Sequence, residues 1–188
     1  MNKNTNRKNI IFDLGGVLID WNPDKVFMKV FEGDKQKMEY FYTKICTQDW
    51  NENQDAGYPL AKATEERVAL FPKFEKEIRM YYSRWDEMLG DQIQGTVDIL
   101  KKLTNIPEYR VVALTNWSHE TFPKAIKKFD FLQWFEGILV SGIEKTRKPF
   151  PEIYELTLNR FDLKAEESLF IDDNLRNIEA ARALGIYS

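Results

Sequence analysis

The sequence has little cysteine and little histidine. Its 188 residues include one cysteine, Cys46, and one histidine, His119. A single cysteine cannot form an intrachain disulfide, which fits a protein of a reducing compartment. We expect Cys46 to be a core residue of an amphipathic helix. His119 follows a predicted strand closely enough to reach a cleft there, but we favour a place in the first turn of a helix, without a chemical role.

Long apolar runs and an excess of positive charge are also missing. No run approaches the roughly 20 apolar residues that cross a bilayer. The net charge of −3 offers no basic surface for nucleic acid or an anionic membrane. Residues 1–8 form a polar lead-in, and the Asn- and Lys-rich start has no apolar core, so we expect no secretory signal. We therefore predict a cytoplasmic protein that binds neither nucleic acid nor membrane.

What the chain does have is an apolar run that ends in a carboxylate. Ile10, Ile11 and Phe12 precede Asp13, and Gly15 and Gly16 follow. A buried parallel strand has this pattern when it delivers one charged side chain to its carboxyl end, where open α/β sheets place their ligands. The two glycines allow a sharp turn and a close backbone approach to whatever Asp13 binds.

A helical block follows this first strand. Apolar residues at helical spacing and helix-opening prolines predict four helices, over Asp24–Phe31, Asp34–Cys46, Pro59–Leu70 and Pro72–Leu89. We interpret the polar stretch 47–57 between them as a loop, part of which could line a pocket, and we predict no strand in this block.

Strands and helices alternate from about residue 94 onward. The predicted strands are Arg110–Leu114, Gly137–Ser141 and Ser168–Ile171, and the predicted helices are Gly95–Leu103, Ser118–Phe129 with Ser118 as N-cap, Pro151–Phe161 and Leu175–Leu184. Alternation at this spacing is typical of βαβ units. The fold class is therefore α/β, with a Rossmann-like parallel sheet flanked by helices. Residues 1–20 and 92–188 form the core, and residues 21–91 form an inserted helical domain.

Polar clusters stand where the predicted strands end. They are Asp13, Thr115-Asn116, Lys148 and Asp172-Asp173. Several carboxylates in one cleft need a compensating cation, and an oxygen-rich site of this kind suits Mg²⁺. A lysine, a hydroxyl and an amide around the same point would neutralise and orient a phosphoryl group. The pattern predicts phosphoryl transfer, with Asp13 as a covalent nucleophile.

Four segments carry a resemblance to a known family. They are Ile11–Leu18 (IFDLGGVL), Leu114-Thr115-Asn116, Arg147-Lys148-Pro149, and Phe170–Asn174 with Asn177–Ile186. In this order and spacing they resemble the four motifs of the haloacid dehalogenase-like (HAD) hydrolase superfamily. The helical insert resembles the α-helical cap of its subfamily I. Members with DLGGV or DLGNV in the first motif include sugar-phosphate phosphatases, such as α-glucose-1-phosphate phosphatase.

The resemblance implies a role for each matching position. Asp13 would be the nucleophile and a Mg²⁺ ligand, with the Gly15 carbonyl as a further ligand. Thr115 and Asn116 would bind the transferring phosphoryl group, and Lys148 would pair with it as the second catalytic residue. Two further residues complete the implied set. Asp173 would be the main metal ligand of the fourth motif, and Asp172 would be either a metal ligand or a residue that supports the ligands.

Two positions depart from the family pattern. Most phosphatases of the superfamily have a second Asp two residues after the nucleophile, as general acid and base, and here that residue is Gly15. We expect water or a substrate group to manage the proton, and we expect Asp20 to hold the turn into the insert instead of replacing that acid. Ser188 follows Ile186 closely, so we also expect the sheet to lack an edge strand.

We predict a Mg²⁺-dependent phosphatase that acts, as a monomer or weak dimer, on a small-molecule phosphate ester, for which a sugar phosphate is the candidate class. One alternative is a 2-haloacid dehalogenase, which would release halide without metal. Another is a non-catalytic relative that binds a phosphorylated ligand or a protein. A phosphomutase is disfavoured because it relies on the missing acid. Trp117, beside Asn116, is the predicted wall of the cleft.

Overall fold

A four-stranded parallel sheet forms the centre of the molecule. The computed structural model describes residues 8–188, so most of the polar lead-in predicted for residues 1–8 lies outside the described residues. The strand order is β5-β4-β1-β6, with β1 at Asn9–Phe12, β4 at Arg110–Thr115, β5 at Ile138–Val140 and β6 at Ser168–Ile171. Ile11 of β1 pairs with Val112 on one side and Phe170 on the other. The predicted α/β parallel sheet is confirmed.

Helices cover both faces of this sheet. They are α7 (Gln94–Thr104), α8 (Phe122–Lys128), α9 (Ser141–Glu144), α10 (Pro151–Arg160) and α11 (Leu175–Ala183). Successive residues of β1 enter opposite cores: Phe12 packs in one hydrophobic cluster with Leu100, whereas Ile11 packs in the other with Tyr154. Burial on both faces explains why β1 reads as a continuous apolar run.

The residues between the first two sheet strands in sequence form a helical region with its own core. Its helices are α1 (Asp24–Val30), α2 (Lys35–Tyr40, continued by a π-helical turn, Phe41–Ile45), α3 (Gln48–Asp55), α4 (Leu60–Leu70), α5 (Glu75–Ser83) and α6 (Trp85–Met88). Phe27 lies at the centre, where its ring is 4.7 Å from that of Phe41. The cluster is separate from the two that flank the sheet.

A two-stranded ladder connects the helical region to the sheet. Strand β2 (Ile19–Trp21) pairs antiparallel with β3 (Leu89–Gln92), so both chain crossings run side by side. The prediction that the block contains no strand was wrong at this end, because the pairing joins residues distant in sequence that carry little strand pattern of their own. Asp20 forms an ion pair with Lys25 here, at the entry to the helices.

The predicted loop over residues 47–57 was also wrong, because most of it is helix α3. The Thr47 hydroxyl caps this helix by accepting a hydrogen bond from the Trp50 amide at 3.2 Å. Asp49 lies in the first turn, where a negative charge is favourable. The helix is polar along most of its length, so it lacks the apolar spacing from which the other helices were predicted.

Two further helix predictions need correction. The helix predicted over Pro72–Leu89 is broken into a 3₁₀ turn, Pro72–Phe74, and the two helices α5 and α6. Ser118 is not the N-cap of α8; it lies in a preceding turn, where its hydroxyl accepts from the Glu120 amide at 3.3 Å. A proline in the first turn of α8 sets the later start of that helix.

Beyond α11 the chain returns to the sheet. Leu169 of β6 forms a parallel bridge with Tyr187, so the residue after Ile186 begins to pair along the outer edge of the sheet. Within residues 8–188, no helix is long and apolar enough to cross a membrane.

Candidate active site

The ends of three neighbouring strands bring the predicted residues together. Asp13 follows β1, Thr115 ends β4, and Asp172 and Asp173 follow β6. Because β1 lies between β4 and β6, their carboxyl ends are adjacent. Lys148 reaches the same point from the segment between α9 and α10. The four polar clusters of the sequence therefore meet at one edge of the sheet.

Lys148 is the buried centre of this group. Its Nζ lies 2.8 Å from Asp13 Oδ1 and 2.6 Å from Asp172 Oδ2, and the residue has no exposed surface. Burial alone would lower the pKa of Lys148, but the two carboxylates outweigh it and the pKa is raised. Lys148 is therefore a fixed positive charge.

Asp13 is almost as buried as Lys148. Burial raises the pKa of Asp13 to about 6, with Lys148 acting against the shift and Asp172 adding to it. One lysine thus does not fully compensate the buried negative charge. The carboxylate oxygens of Asp13, Asp172 and Asp173 can all lie within 4.8 Å of one another, which is a donor set for a hard cation.

The two adjacent aspartates occupy different environments. Asp172 has a fully buried side chain that accepts hydrogen bonds from the Asn174 amide at 2.8 Å and from Asn177 Nδ2 at 3.0 Å. Asp173 is exposed and lines the cavity described below. Although the residue is exposed, partial desolvation of its carboxyl and the neighbouring Asp172 charge raise its pKa. Asp172 thus orients Lys148, while Asp173 faces the open space.

The turn after Asp13 approaches Asp173 closely. Gly16 has φ +75°, and a Cβ there would lie 2.2 Å from Asp173 Oδ2. Position 16 therefore needs glycine for both its backbone conformation and its contact. At Gly15 a Cβ would meet nothing within 4 Å, so the lack of a side chain there leaves open space beside Asp13.

Thr115 and Asn116 differ in what their side chains do. The Thr115 hydroxyl is buried and has no hydrogen-bond partner among the described residues, so its hydrogen-bonding capacity is unused within them. The Asn116 amide accepts from the Lys148 backbone N–H at 2.9 Å and donates to the Lys148 carbonyl at 3.0 Å. Asn116 thus fixes the backbone that carries Lys148.

A cavity of about 570 Å³ opens above these residues. Asp13, Gly15, Lys148 and Asp173 line one end of it. Six aromatic residues form part of the walls and come mainly from the helical region and the β4 end: Trp21, Tyr42, Tyr81, Tyr82, Trp85 and Trp117. Trp85 and Trp117 lie with ring centroids 5.6 Å apart. Trp117 thus lines the cavity, as the sequence predicted.

Sequence reasoning missed the contribution of helix α3. Glu52 and Asp55 lie three residues apart on this helix, and both line the cavity. Glu52 is 2.6 Å from Arg147 Nη1 and 2.5 Å from Arg176 Nη2, so it joins the helical region to two cations of the sheet domain. The sequence did carry a signal for this helix: Thr47 is a residue type that caps helices, and Glu52 and Asp55 follow it three residues apart, on one helix face.

Three other residues considered from the sequence lie outside the chemistry. His119 is exposed in the turn before α8 and is not among the residues that line the cavity. Cys46 is buried in the helical core, and burial raises the pKa of its thiol, which keeps it protonated. Asp20 is paired with Lys25.

Comparison with known proteins gives one family. The model of the haloacid dehalogenase-like hydrolases matches residues 10–188. The sesquiterpene phosphatase astK of Aspergillus oryzae is 28% identical over 193 residues, covering 97% of this chain and 88% of that protein. The phosphorylated carbohydrates phosphatase of Thermotoga maritima is 24% identical over 182 residues, covering 94% of this chain and 81% of that protein.

A solved structure agrees over nearly the same span. The HAD family enzyme bt-2542 of Bacteroides thetaiotaomicron, in complex with magnesium and inorganic phosphate, has a TM-score of 0.70 and 26% sequence identity. The match covers 96% of this chain and 91% of that one. The likeness therefore extends over both the sheet and the helical region.

Proposed function

Because this chain belongs to the haloacid dehalogenase-like hydrolases, we propose that it is a magnesium-dependent phosphatase that forms an aspartyl-phosphate on Asp13. The observation that carries the proposal is the arrangement at the end of β1. There the Asp13 carboxylate lies 2.8 Å from the Lys148 ammonium, and Thr115, at the end of the neighbouring strand β4, has a buried hydroxyl without a partner among the described residues. A nucleophile, a cation and a free donor around one point fit a phosphoryl group.

The donor set fits Mg²⁺. Three carboxylates whose oxygens can come within 4.8 Å of one another are hard ligands, and the buried Asp13 is left short of positive charge. We propose Asp13, Asp173 and the Gly15 carbonyl as ligands, with Asp172 as a further ligand or as the group that orients them. A bound Mg²⁺ would neutralise charge on the phosphoryl oxygens and on the acids.

The proposed reaction uses two steps on Asp13. An oxygen of Asp13 attacks phosphorus, and the bond from phosphorus to the ester oxygen breaks. Water then attacks the phosphorus of the aspartyl-phosphate, and inorganic phosphate leaves. Lys148 and the Thr115 hydroxyl hold the phosphoryl oxygens through both steps. Asn116 supports Lys148 through the two backbone hydrogen bonds, and its direct contact with the phosphoryl group stays a prediction.

The helical region sets the substrate pocket in this proposal. We propose residues 21–91 as the cap, and residues 1–20 with 92–188 as the core. The separate hydrophobic cluster of the helices supports this division. The monomeric or weakly dimeric state and the cytoplasmic location stay predictions.

The substrate class is the finer part of the proposal. A sugar phosphate is the first class to test, because a relative is named for phosphorylated carbohydrates and aromatic walls can stack on a sugar ring. A terpenyl phosphate is the second, because those walls are mainly apolar and another relative is a sesquiterpene phosphatase. Both classes are small-molecule phosphate esters.

The experiment is a panel of these esters assayed for phosphate release with Mg²⁺ and with EDTA. We expect Mg²⁺-dependent turnover that Asp13→Asn abolishes. Asp20→Asn is the matched control, since Asp20 is on the same segment but pairs with Lys25. Full turnover by the Asp13 variant would refute the proposal. Halide release without metal would instead support a dehalogenase, and Mg²⁺ binding without any turnover would support a non-catalytic role.

A further inference from the structure

Phosphate ester hydrolysis through a covalent intermediate involves two proton transfers. The departing ester oxygen must gain one, and the attacking water must lose one. Gly15 has no side chain to do either. The question, which rests on the proposed function, is whether another residue that lines the cavity can do both.

The geometry of displacement indicates where such a group must lie. In an in-line reaction the leaving oxygen is on the side of the phosphorus remote from the attacking Asp13. Asp13 lines the same cavity as four residues of α3 in the helical region, Gln48, Asn51, Glu52 and Asp55, and we infer that the leaving oxygen lies on their side of it. The water of the second step enters from the same side, so one group there can serve both steps.

Asp55, the last residue of α3, lines the cavity in this region and is held in place by several hydrogen bonds. Its carbonyl accepts from the Ser141 hydroxyl at 2.5 Å, which ties the end of α3 to the sheet domain. Its carboxylate Oδ2 accepts from Asn51 Nδ2 at 3.1 Å, and Asn51 in turn accepts from the Tyr82 hydroxyl at 3.0 Å. A carboxylate has about four lone-pair sites, so Asp55 retains capacity for a ligand.

The other acids and bases of the cavity are occupied. Asp13, Lys148 and Asp173 form the proposed nucleophile, phosphate and metal site. Glu52 is held by two guanidinium groups, at 2.6 Å from Arg147 and 2.5 Å from Arg176. None of these four can shuttle a proton without losing its other contacts.

The remaining titratable groups of the cavity hold their protons too tightly. Burial raises the pKa of the phenols of Tyr42, Tyr81 and Tyr82 and of the Cys46 thiol. Their deprotonated forms are unfavourable at neutral pH. These groups therefore cannot act as a base in one step and as an acid in the other. Asp55 is the group that is left.

We propose that Asp55 is the general acid and base of this phosphatase, in place of the acid that Gly15 lacks. As Asp13 attacks phosphorus and the ester bond breaks, the proton of Asp55 passes to the leaving oxygen, which departs as an alcohol. The Asp55 carboxylate then accepts a proton from the water that attacks the aspartyl-phosphate. Asp13 leaves as a carboxylate, inorganic phosphate forms, and Asp55 is again protonated.

The electrostatic surroundings of Asp55 suit this exchange. Burial raises the pKa of Asp55 to about 7, and the charges of Glu52 and Asp13 add to the rise. The Ser118 backbone N–H and Arg147 act in the opposite direction. The phenols of α5 that face it, Tyr81 and Tyr82, stay neutral. A pKa near the working pH is what a group needs to both donate and accept.

The test separates proton transfer from a structural role through the leaving group. We compare Asp55→Asn with Asp49→Asn, the same change at an exposed position of the same helix. For the best alkyl phosphate of the panel, kcat/KM with Mg²⁺ should fall about 10²- to 10⁴-fold in the Asp55 variant. For p-nitrophenyl phosphate, whose leaving group departs without a proton, the fall should be much smaller. The Asp49 variant should match the wild type on both.

Two outcomes would overturn the role of Asp55: an equal fall for both esters, or no fall for the alkyl ester. If the wild type hydrolyses neither ester, it is the proposed function that fails instead. The wild-type pH profile gives a test that needs no variant. With the alkyl ester kcat/KM should decline as the pH rises above about 7, because Asp55 loses its proton, and p-nitrophenyl phosphate should lack this decline. Identical profiles for the two esters would also overturn the proposal.

Discussion

The ion-pair cluster of Glu52, Arg147 and Arg176 gives a quantitative prediction for Glu52→Gln. The Glu52 side chain is 8% exposed and that of Arg147 is 12% exposed, so this pair is largely desolvated. The Arg176 side chain is 45% exposed, and water can solvate it when its partner is lost. The substitution keeps the shape of residue 52 but leaves the Arg147 charge buried and unpaired.

The magnitude follows from these exposures. Removing one partner of a buried ion pair costs about 3–5 kcal/mol, and a half-exposed pair contributes about 1 kcal/mol or less. Glutamine still accepts a hydrogen bond, so we expect the free energy of unfolding to fall by about 2–4 kcal/mol. With a urea m-value of about 2 kcal/mol/M, the midpoint should move by about 1–2 M.

Equilibrium urea denaturation of two variants measures this effect. Glu65→Gln is the matched control, because Glu65 pairs with Arg79 at an exposed site and its loss should cost about 1 kcal/mol or less. The reasoning is refuted if Glu52→Gln is no more destabilising than Glu65→Gln at equal m-values. A loss of stability confined to the Glu52 variant would confirm that the ion pair between Glu52 and Arg147 stabilises the packing of α3.

Three further predictions concern the site itself. Gly16→Ala should destabilise the protein by about 1–3 kcal/mol and weaken Mg²⁺ binding, because a Cβ is strained at its positive φ and would displace the Asp173 carboxylate. Gly15→Ala should stay within about 0.5 kcal/mol, and denaturation and Mg²⁺ titration check both. Thr115→Val should weaken inhibition by inorganic phosphate about tenfold without lowering Tm, because the hydroxyl has no partner within residues 8–188; a lower Tm would contradict this. Burial raises the folded-state pKa of Asp13 from 3.8 to about 6, so without metal the stability due to this group falls as the pH rises from about 4 to about 6. Mg²⁺ replaces the proton, and it should therefore raise Tm more at about pH 7 than at about pH 5; an equal rise would contradict this.

Much of the sheet domain could be predicted from sequence because its signals are local. Apolar runs ending in Asp13 and Asp172 mark buried strands and their carboxyl ends, and parallel strands bring those ends to one edge. Lys148 carries no such local signal. Its position depended on the order and spacing of motifs, and its two ion pairs became visible only in three dimensions.

The helical region was harder to predict because long-range contacts decide it. Strand β3 exists through pairing with β2, about seventy residues earlier in the chain. Helix α3 is stabilised by the Thr47 cap and by the ion pair of Glu52 with Arg147, neither of which gives apolar periodicity. Asp55 was missed for the same reason, since a polar stretch was interpreted as a loop.

The central claim is that Asp13 carries the phosphoryl group during turnover. The most direct test is to quench the enzyme with acid during Mg²⁺-dependent hydrolysis of its best ester and to map the modified peptide by mass spectrometry. The account predicts one phosphoryl group on Asp13, formed only with Mg²⁺ and absent from Asp13→Asn. Steady hydrolysis with Asp13 unmodified, or with the phosphoryl group on another residue, would contradict it.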